Sequence, residues 1–99
     1  MYFAVCIRRC DENSFEALVP DIPGCAVNGL TTARLLTDIH LAIEVKIAEI
    51  LGKGDTVPAP RGQQELQNET RYIGCEWFSV HINVAHLRAV AKHQVGRWG

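Results

Sequence analysis

The segment from Thr31 to Leu51 constrains this chain more than any other, because it lacks glycine and proline and is rich in leucine, isoleucine and alanine. Thr31 or Thr32 suits the N-cap position, and Gly52 suits the position that follows a helix. At 1.5 Å per residue, the predicted helix is about 30 Å long. A chain of 99 residues has room for one small core, and this helix must form one side of it.

Two apolar stripes run along the predicted helix when residues are spaced about 100° apart. The second, narrower stripe lies among polar and charged residues and contains Leu41, Val45 and Ala48. We predict that it binds a partner or another subunit, although single apolar residues are also normal on protein surfaces. The wider stripe is the predicted core face, and it comprises Leu35, Leu36, Ile39, Ala42, Ile43, Ile47 and Ile50.

Three short strands are predicted before the helix. Tyr2–Arg9 and Phe15–Val19 are apolar or alternating and flank a polar loop, which predicts an antiparallel hairpin. Pro23 and Gly24 suit the two central positions of a type II turn. The residues after that turn, 25–28, are long enough for a third strand.

A further strand is predicted after the helix. Residues 57–60 form a stiff, proline-containing connector, and 63–68 suit a short polar helix. Trp77–Val84 has the most regular alternation in the chain, and 84–95 carries a weak helical stripe. The fold class is therefore α+β, with a three-stranded antiparallel sheet, one long helix, a further short strand and a C-terminal helix. The further strand is our candidate for subunit pairing, through Trp77, Phe78, Val80 and Ile82, although this role and that of the helical stripe could be exchanged.

Composition narrows the classes of function. The ten basic residues nearly balance the eleven acids, which argues against a general nucleic-acid surface. The tail is basic, with Arg88, Lys92 and Arg97, so DNA binding through it stays an alternative. No signal peptide or membrane-spanning run is evident, which predicts a cytoplasmic protein. The four cysteines are accordingly predicted to be cytosolic thiols, and we expect no metal or cofactor.

Few residues suggest catalysis. No phosphate-binding loop or nucleophile motif is present. Four acids could act as nuclease metal ligands, but most of them suit turns or solvated surfaces; they are Asp11, Glu16, Asp21 and Asp38. The four histidines are spread over three predicted elements, and they are His40, His81, His86 and His93. We therefore predict no enzyme activity and keep a metal-dependent nuclease as a rival hypothesis.

A series of short segments provides a second line of inference. The segments are Met1–Val5, Val19–Cys25, Gly29–Thr31, Ala42–Leu51, Gly54–Pro60, Arg71–Trp77 and His86–Leu87. In this order they resemble the HicB-like antitoxin family of bacterial toxin–antitoxin pairs. The resemblance covers residues 1 to about 88.

The resemblance implies a fold, a partner and an oligomeric state. The implied fold is a partial ribonuclease-H-like domain without catalytic carboxylates. The implied partner is a HicA-like toxin that cleaves mRNA and is blocked by the antitoxin, and family members commonly form dimers or tetramers. We therefore expect a HicB-like domain at 1–88 and a short basic tail at 89–99, without the C-terminal DNA-binding domain that many relatives carry. A solitary HicB-like adaptor without a toxin is the alternative.

Overall fold

A four-stranded antiparallel sheet and one long helix dominate the structure, a computed structural model that describes residues 1–90. The strand order is β3-β2-β1-β4, so β1 is central and β3 and β4 are the edges. The hairpin predicted from sequence is confirmed, and the predicted further strand joins the same sheet beside β1. The strands are β1 (Tyr2–Arg9), β2 (Phe15–Leu18), β3 (Ala26–Gly29) and β4 (Glu76–His81).

The long helix α1 (Thr32–Gly52) covers one face of the sheet. Its fully buried residues recur every four positions, at Leu35, Ile39, Ile43 and Ile47, and this confirms the predicted core stripe. The helix packs chiefly on β2 and β3 rather than on β4. From β1, the side chains of Phe3, Val5 and Ile7 meet it, along with the other residues of the main core.

A smaller second layer covers the opposite face of the sheet. Alternation along β1 directs Ala4 and Cys6 to this face. They pack against Leu66 and Tyr72, which come from the short helix α2 (Gln63–Leu66) and a 3₁₀ turn (Thr70–Tyr72). Because both faces are covered, β1 is buried at five consecutive positions from Phe3 to Ile7.

Glycines with positive φ lie in the turn that precedes β3 and in the turn that follows α1. The N–H of Cys25 donates to the carbonyl of Ile22 at 3.1 Å, and Gly24 has a φ of 80°, as the predicted type II turn requires. The helix was predicted to end at Leu51 with Gly52 after it, but it ends one residue later. Gly52 is still helical, and Gly54 is the residue that adopts a positive φ, of 78°. Its N–H donates to the carbonyl of Leu51, which satisfies one of the last helical carbonyls.

Thr31, rather than Thr32, is the N-cap of α1. Its hydroxyl oxygen accepts the N–H of Arg34 at 3.2 Å. We expect Thr31→Ala to lower the free energy of unfolding by about 1 kcal/mol, because that N–H loses its side-chain acceptor. Thr32→Ala is the matched control and should change it far less, as measured by urea unfolding followed by circular dichroism. Equal losses in the two variants would contradict the assignment of the cap.

A disulfide joins Cys6 to Cys75, whereas all four cysteines were predicted to be thiols. Cys6 lies opposite Trp77 in the register of β1 and β4, so Cys75 is its diagonal neighbour across the strands. The two Cα atoms are 5.5 Å apart, within the usual range for a disulfide. The sequence conceals this proximity because it depends on how the two strands pair. Cys10 and Cys25 are free, and burial raises the pKa of the Cys25 thiol.

The last described residues, 84–90, are helical. Val84 and Leu87 pack against the main core, in agreement with the start of the predicted C-terminal helix. The rest of that prediction, residues 91–95, and most of the predicted basic tail lie outside the described residues. No helix within residues 1–90 has both the length and the apolar character to cross a bilayer.

Candidate partner-binding surface

The narrow apolar stripe predicted on α1 is exposed to solvent. Leu41 is 56% exposed and Val45 is 57% exposed, and Ala48 is exposed beside them. These three residues form what we call the helix stripe. They project from the side of α1 opposite the core because they fall about half a turn from the buried positions.

Pairs of charged or polar side chains border the helix stripe. Arg34 pairs with Asp38 at 3.4 Å, and His40 lies 3.2 Å from Glu44, each one helical turn apart. A further pair, Lys46 and Glu49, is 3.9 Å apart. Exposed pairs of this kind contribute little to stability, so their main effect is to surround the apolar stripe with a polar rim. An apolar centre within a polar rim is the usual arrangement of a protein-binding surface.

A groove of about 530 Å³ lies beside the helix stripe, between α1 and β4. It exists because α1 packs over β2 and β3 and leaves the β4 side of the sheet less covered. Leu41 belongs to both the stripe and the groove. The residues from α1 are Leu36, Thr37, His40 and Leu41, and those from β4 are Phe78, Ser79 and Val80. Sequence patterns could not reveal this groove, since they do not specify where the helix crosses the sheet.

The four residues proposed for subunit pairing are divided between the two faces of the sheet. Val80 and Ile82 are buried in the main core, and Phe78 packs against it half-buried. Trp77 lies on the opposite face, where its ring meets that of Tyr72 edge-on at 5.7 Å. The side chains of these four residues therefore pack within the chain itself. The residues of β4 that are exposed to solvent are Glu76, Ser79 and His81.

Asp21, the most rigidly placed acid of the nuclease hypothesis, is engaged by Arg61. The carboxylate, only 4% exposed, accepts the backbone N–H of Arg61 at 2.8 Å and its Nε–H at 2.7 Å. Arg61 also donates to Glu69 at 3.0 Å, and Glu69 accepts from Arg71. The hydrogen bond that the Arg61 guanidinium donates to the Asp21 carboxylate raises the pKa of Arg61. These hydrogen bonds attach the connector after α1, residues 57–61, to the turn before β3, which contains Asp21.

Sequence reasoning did not identify Arg61 as the partner of Asp21. The two residues are 40 positions apart, and only the folded chain brings them together. The available signal was weak: an arginine directly after the rigid connector, and an acid between two prolines of the turn.

The other candidate acids have separate local partners. Asp11 accepts the N–H of Asn13 at 2.9 Å in the hairpin loop, and this hydrogen bond lowers the pKa of Asp11. Glu16 pairs with Arg8 across the hairpin at 2.8 Å, and Asp38 pairs with Arg34 on α1. Within residues 1–90, no three histidine, cysteine or acidic side chains gather as a metal site would require.

The histidines are also dispersed. His40 faces Glu44, and the ring of His81 lies 4.8 Å from that of Tyr2. His86 lies at the start of the last helical segment, where its N–H donates to the side chain of Asn83. His93 lies outside the described residues. Among residues 1–90, the structure gathers none of the candidate catalytic residues into a cluster. It does place Leu41 of the helix stripe in the same groove as Phe78 and Val80 of β4.

The fold and this surface define a small α+β domain with an exposed apolar stripe on its long helix. A family model described as the HicB-like antitoxin of bacterial toxin–antitoxin systems matches residues 3–95, and the chain belongs to that family. The chain is also 24% identical over 92 residues to an uncharacterised 14.9 kDa protein from the rep-hol intergenic region of Haemophilus phage HP1. That match covers 93% of this chain and 68% of the phage protein.

Solved structures share the fold. The N-terminal domain of the Burkholderia pseudomallei antitoxin HicB is 25% identical with a TM-score of 0.77, covering 84% of this chain and 99% of that domain. A second structure of the Burkholderia pseudomallei antitoxin HicB is 21% identical with a TM-score of 0.80, covering 99% of this chain and 83% of that one. A chain of the HicA3 and HicB3 toxin–antitoxin complex is 24% identical with a TM-score of 0.68, covering 84% of this chain and 99% of that one.

Proposed function

We propose that this chain is a non-enzymatic antitoxin that binds a HicA-like, mRNA-cleaving toxin and occludes its active surface. The observation that carries the proposal is the family match, which spans residues 3–95. The HicA3 and HicB3 toxin–antitoxin complex supports it, because a chain of that complex has the same fold as this protein. Inhibition by occlusion needs no catalytic group, metal or cofactor in the antitoxin. A toxin that cleaves mRNA acts in the cytoplasm, and we place this chain there too.

The helix stripe is the proposed contact with the toxin. Its two larger residues, Leu41 and Val45, are more than half exposed. They lie one helical turn apart, so they form a row with Ala48 rather than isolated apolar side chains. Burying them against a partner would remove apolar area from water at about 25 cal/mol per Å². Glu44 and Glu49 border the stripe and would face a toxin surface that is basic because it binds RNA.

The proposal is tested by producing the chain together with the small protein encoded beside it. We expect the two proteins to copurify, and the chain at equimolar concentration to stop cleavage of mRNA by its neighbour. A neighbour that cleaves mRNA equally well in the presence of excess chain would contradict the antitoxin function. Copurification without any toxic or cleaving activity in the neighbour would instead favour the alternative of an adaptor.

A single substitution tests the helix stripe. Val45→Glu should weaken toxin binding by about tenfold or more, because a carboxylate would have to be buried in the apolar centre of the contact. The thermal unfolding midpoint should change little, since Val45 is 57% exposed in the free chain.

Leu30→Glu is the matched control for that substitution. Leu30 is 72% exposed and lies outside the stripe, so the same type of change there should leave toxin affinity intact. Calorimetric titration of the toxin with both variants provides the measurement. Equal affinities for wild type and Val45→Glu would remove the helix stripe from the interface, while the antitoxin function would still be judged by the cleavage assay.

A further inference from the structure

Residues 62–74, which we call the cover segment, lie over the face of the sheet opposite α1 and are held there by few contacts. Of their side chains, only those of Leu66 and Tyr72 are buried. The backbone hydrogen bonds of the cover segment stay within residues 62–75, as in the bond from the N–H of Cys75 to the carbonyl of Tyr72 at 3.2 Å. Among residues 1–90, therefore, no backbone hydrogen bond joins the cover segment to a strand.

Two attachments flank the cover segment. Before it, Arg61 donates to Asp21 through its backbone N–H and its guanidinium. After it, Cys75 is bonded to Cys6 of β1. The first attachment is an ion pair that neither an oxidant nor a reductant alters, whereas the second is a covalent bond that the transfer of two electrons makes or breaks. The attachment at one end of the cover segment therefore depends on the redox state of this cysteine pair.

The two sulfur atoms of the disulfide differ in their access to solvent. Cys6 is fully buried in the centre of β1. Cys75 is only partly buried, and its neighbours Gly74 and Glu76 are exposed. Redox-sensing cysteines are commonly accessible and lie next to a second cysteine that resolves a mixed disulfide. The geometry thus gives Cys75 the role of the cysteine that exchanges with thiols in solution, and Cys6 the role of the resolving cysteine.

We propose that Cys6 and Cys75 form a reversible redox site that holds the cover segment on the sheet when oxidised and releases it when reduced. The cellular setting rests on the proposed function, which places the chain in the cytoplasm. Disulfides there are usually transient and redox-sensing, because cytoplasmic thiols are kept reduced. In the dithiol form, the cover segment is attached through Arg61 and two buried side chains alone, and it opens more often than in the disulfide form.

The oxidant in this scheme is a low-molecular-weight disulfide such as glutathione disulfide. The Cys75 thiolate attacks one of its sulfur atoms, the glutathione disulfide bond breaks, and one glutathione leaves and takes up a proton. The Cys6 thiolate then attacks the Cys75 sulfur of the mixed disulfide and displaces the second glutathione, which is protonated in turn. Two protein thiols are oxidised, and one glutathione disulfide is reduced to two glutathione molecules. Excess glutathione reverses both steps, beginning with attack on the accessible Cys75 sulfur.

A glutathione titration of the isolated chain tests the redox site. The background is Cys10→Ser, because Cys10 is exposed and would form a mixed disulfide of its own. After acid quenching and denaturation, a maleimide polymer should label all three remaining cysteines of chains kept in glutathione. Chains kept in glutathione disulfide should take up two labels fewer, and the change should reverse. A pair that stays oxidised in any excess of glutathione, or that stays reduced in glutathione disulfide, would overturn the proposal.

Limited digestion with trypsin tests release of the cover segment, because Arg71 lies within it. Reduction should speed cleavage after Arg71 by about tenfold or more, since a protease cuts a chain that has opened locally. In the reduced chain, this cut should precede the cut after Arg34 in α1. Cys75→Ser is the control, and it should be cut at the rate of the reduced chain in both buffers.

Two outcomes of the digestion would contradict release of the cover segment. One is cleavage after Arg71 at the same rate in both redox states. The other is a reduced chain that is cut after Arg34 as early as after Arg71, because the whole chain would then be unfolding. Both experiments use the chain without a partner, so their failure is distinct from a failure of the antitoxin function, which the mRNA cleavage assay judges.

Discussion

Replacing Cys75 with serine is expected to lower the free energy of unfolding by about 4 kcal/mol. The disulfide from Cys6 to Cys75 closes a loop with a sequence separation of 69 residues. Such a link restricts the unfolded chain, and in the chain-entropy model the stabilisation grows with the logarithm of the loop length. It also links Cys6, in the centre of β1, to Cys75, the residue before β4. Both cysteines belong to the smaller apolar cluster on the face of the sheet opposite α1, so the disulfide holds that cluster together.

The measurement is urea unfolding of wild type and Cys75→Ser, each with and without a strong thiol reductant. Reduced wild type should unfold at the midpoint of the variant, and the variant should not respond to reductant. Cys10→Ser is the control, because Cys10 is exposed and unbonded and its loss should leave both wild-type curves unchanged. A wild-type midpoint that is insensitive to reductant would show that the bond contributes no stability.

Asp21→Asn should cost about 2 to 3 kcal/mol of folding free energy. The buried carboxylate of Asp21 accepts two hydrogen bonds from Arg61, one from the backbone and one from the guanidinium. An asparagine retains one acceptor oxygen but places an NH₂ group against one of these donors. The connector after α1 would then lose one of its attachments to the turn before β3.

Glu16→Gln is the control for Asp21→Asn. It disrupts an ion pair with Arg8 that is partly exposed, so it should cost less than about 1 kcal/mol. Both variants would be compared by urea unfolding, and RNA–DNA hybrid cleavage with Mn²⁺ would be assayed in parallel. Cleavage by wild type that Asp21→Asn abolishes without loss of stability would revive the nuclease hypothesis and contradict the structural role.

The features predicted correctly from sequence depend on neighbours along the chain. The hairpin, the type II turn and α1 follow from alternation, a Pro-Gly pair and a helical stripe, each within a few residues. The features that escaped prediction depend on contacts between distant residues. These features are the Cys6–Cys75 disulfide, the Asp21–Arg61 ion pair and the packing of α1 on β2 and β3. Each depends on how the strands are ordered and paired, which a local sequence pattern does not specify. The helix stripe itself was visible from sequence, whereas the groove beside it was not.

The position of β1 has a consequence for synthesis of the protein. β1 is translated before the other strands of the sheet, whereas β4, one of its two neighbours, is translated after all of them. Until residues 76–81 are available, β1 has an unpaired side along a strand of buried apolar residues. Exposed strand edges of this kind invite aggregation in partly folded chains. We therefore expect a nascent or truncated chain that ends before β4 to aggregate more readily than a chain that includes it.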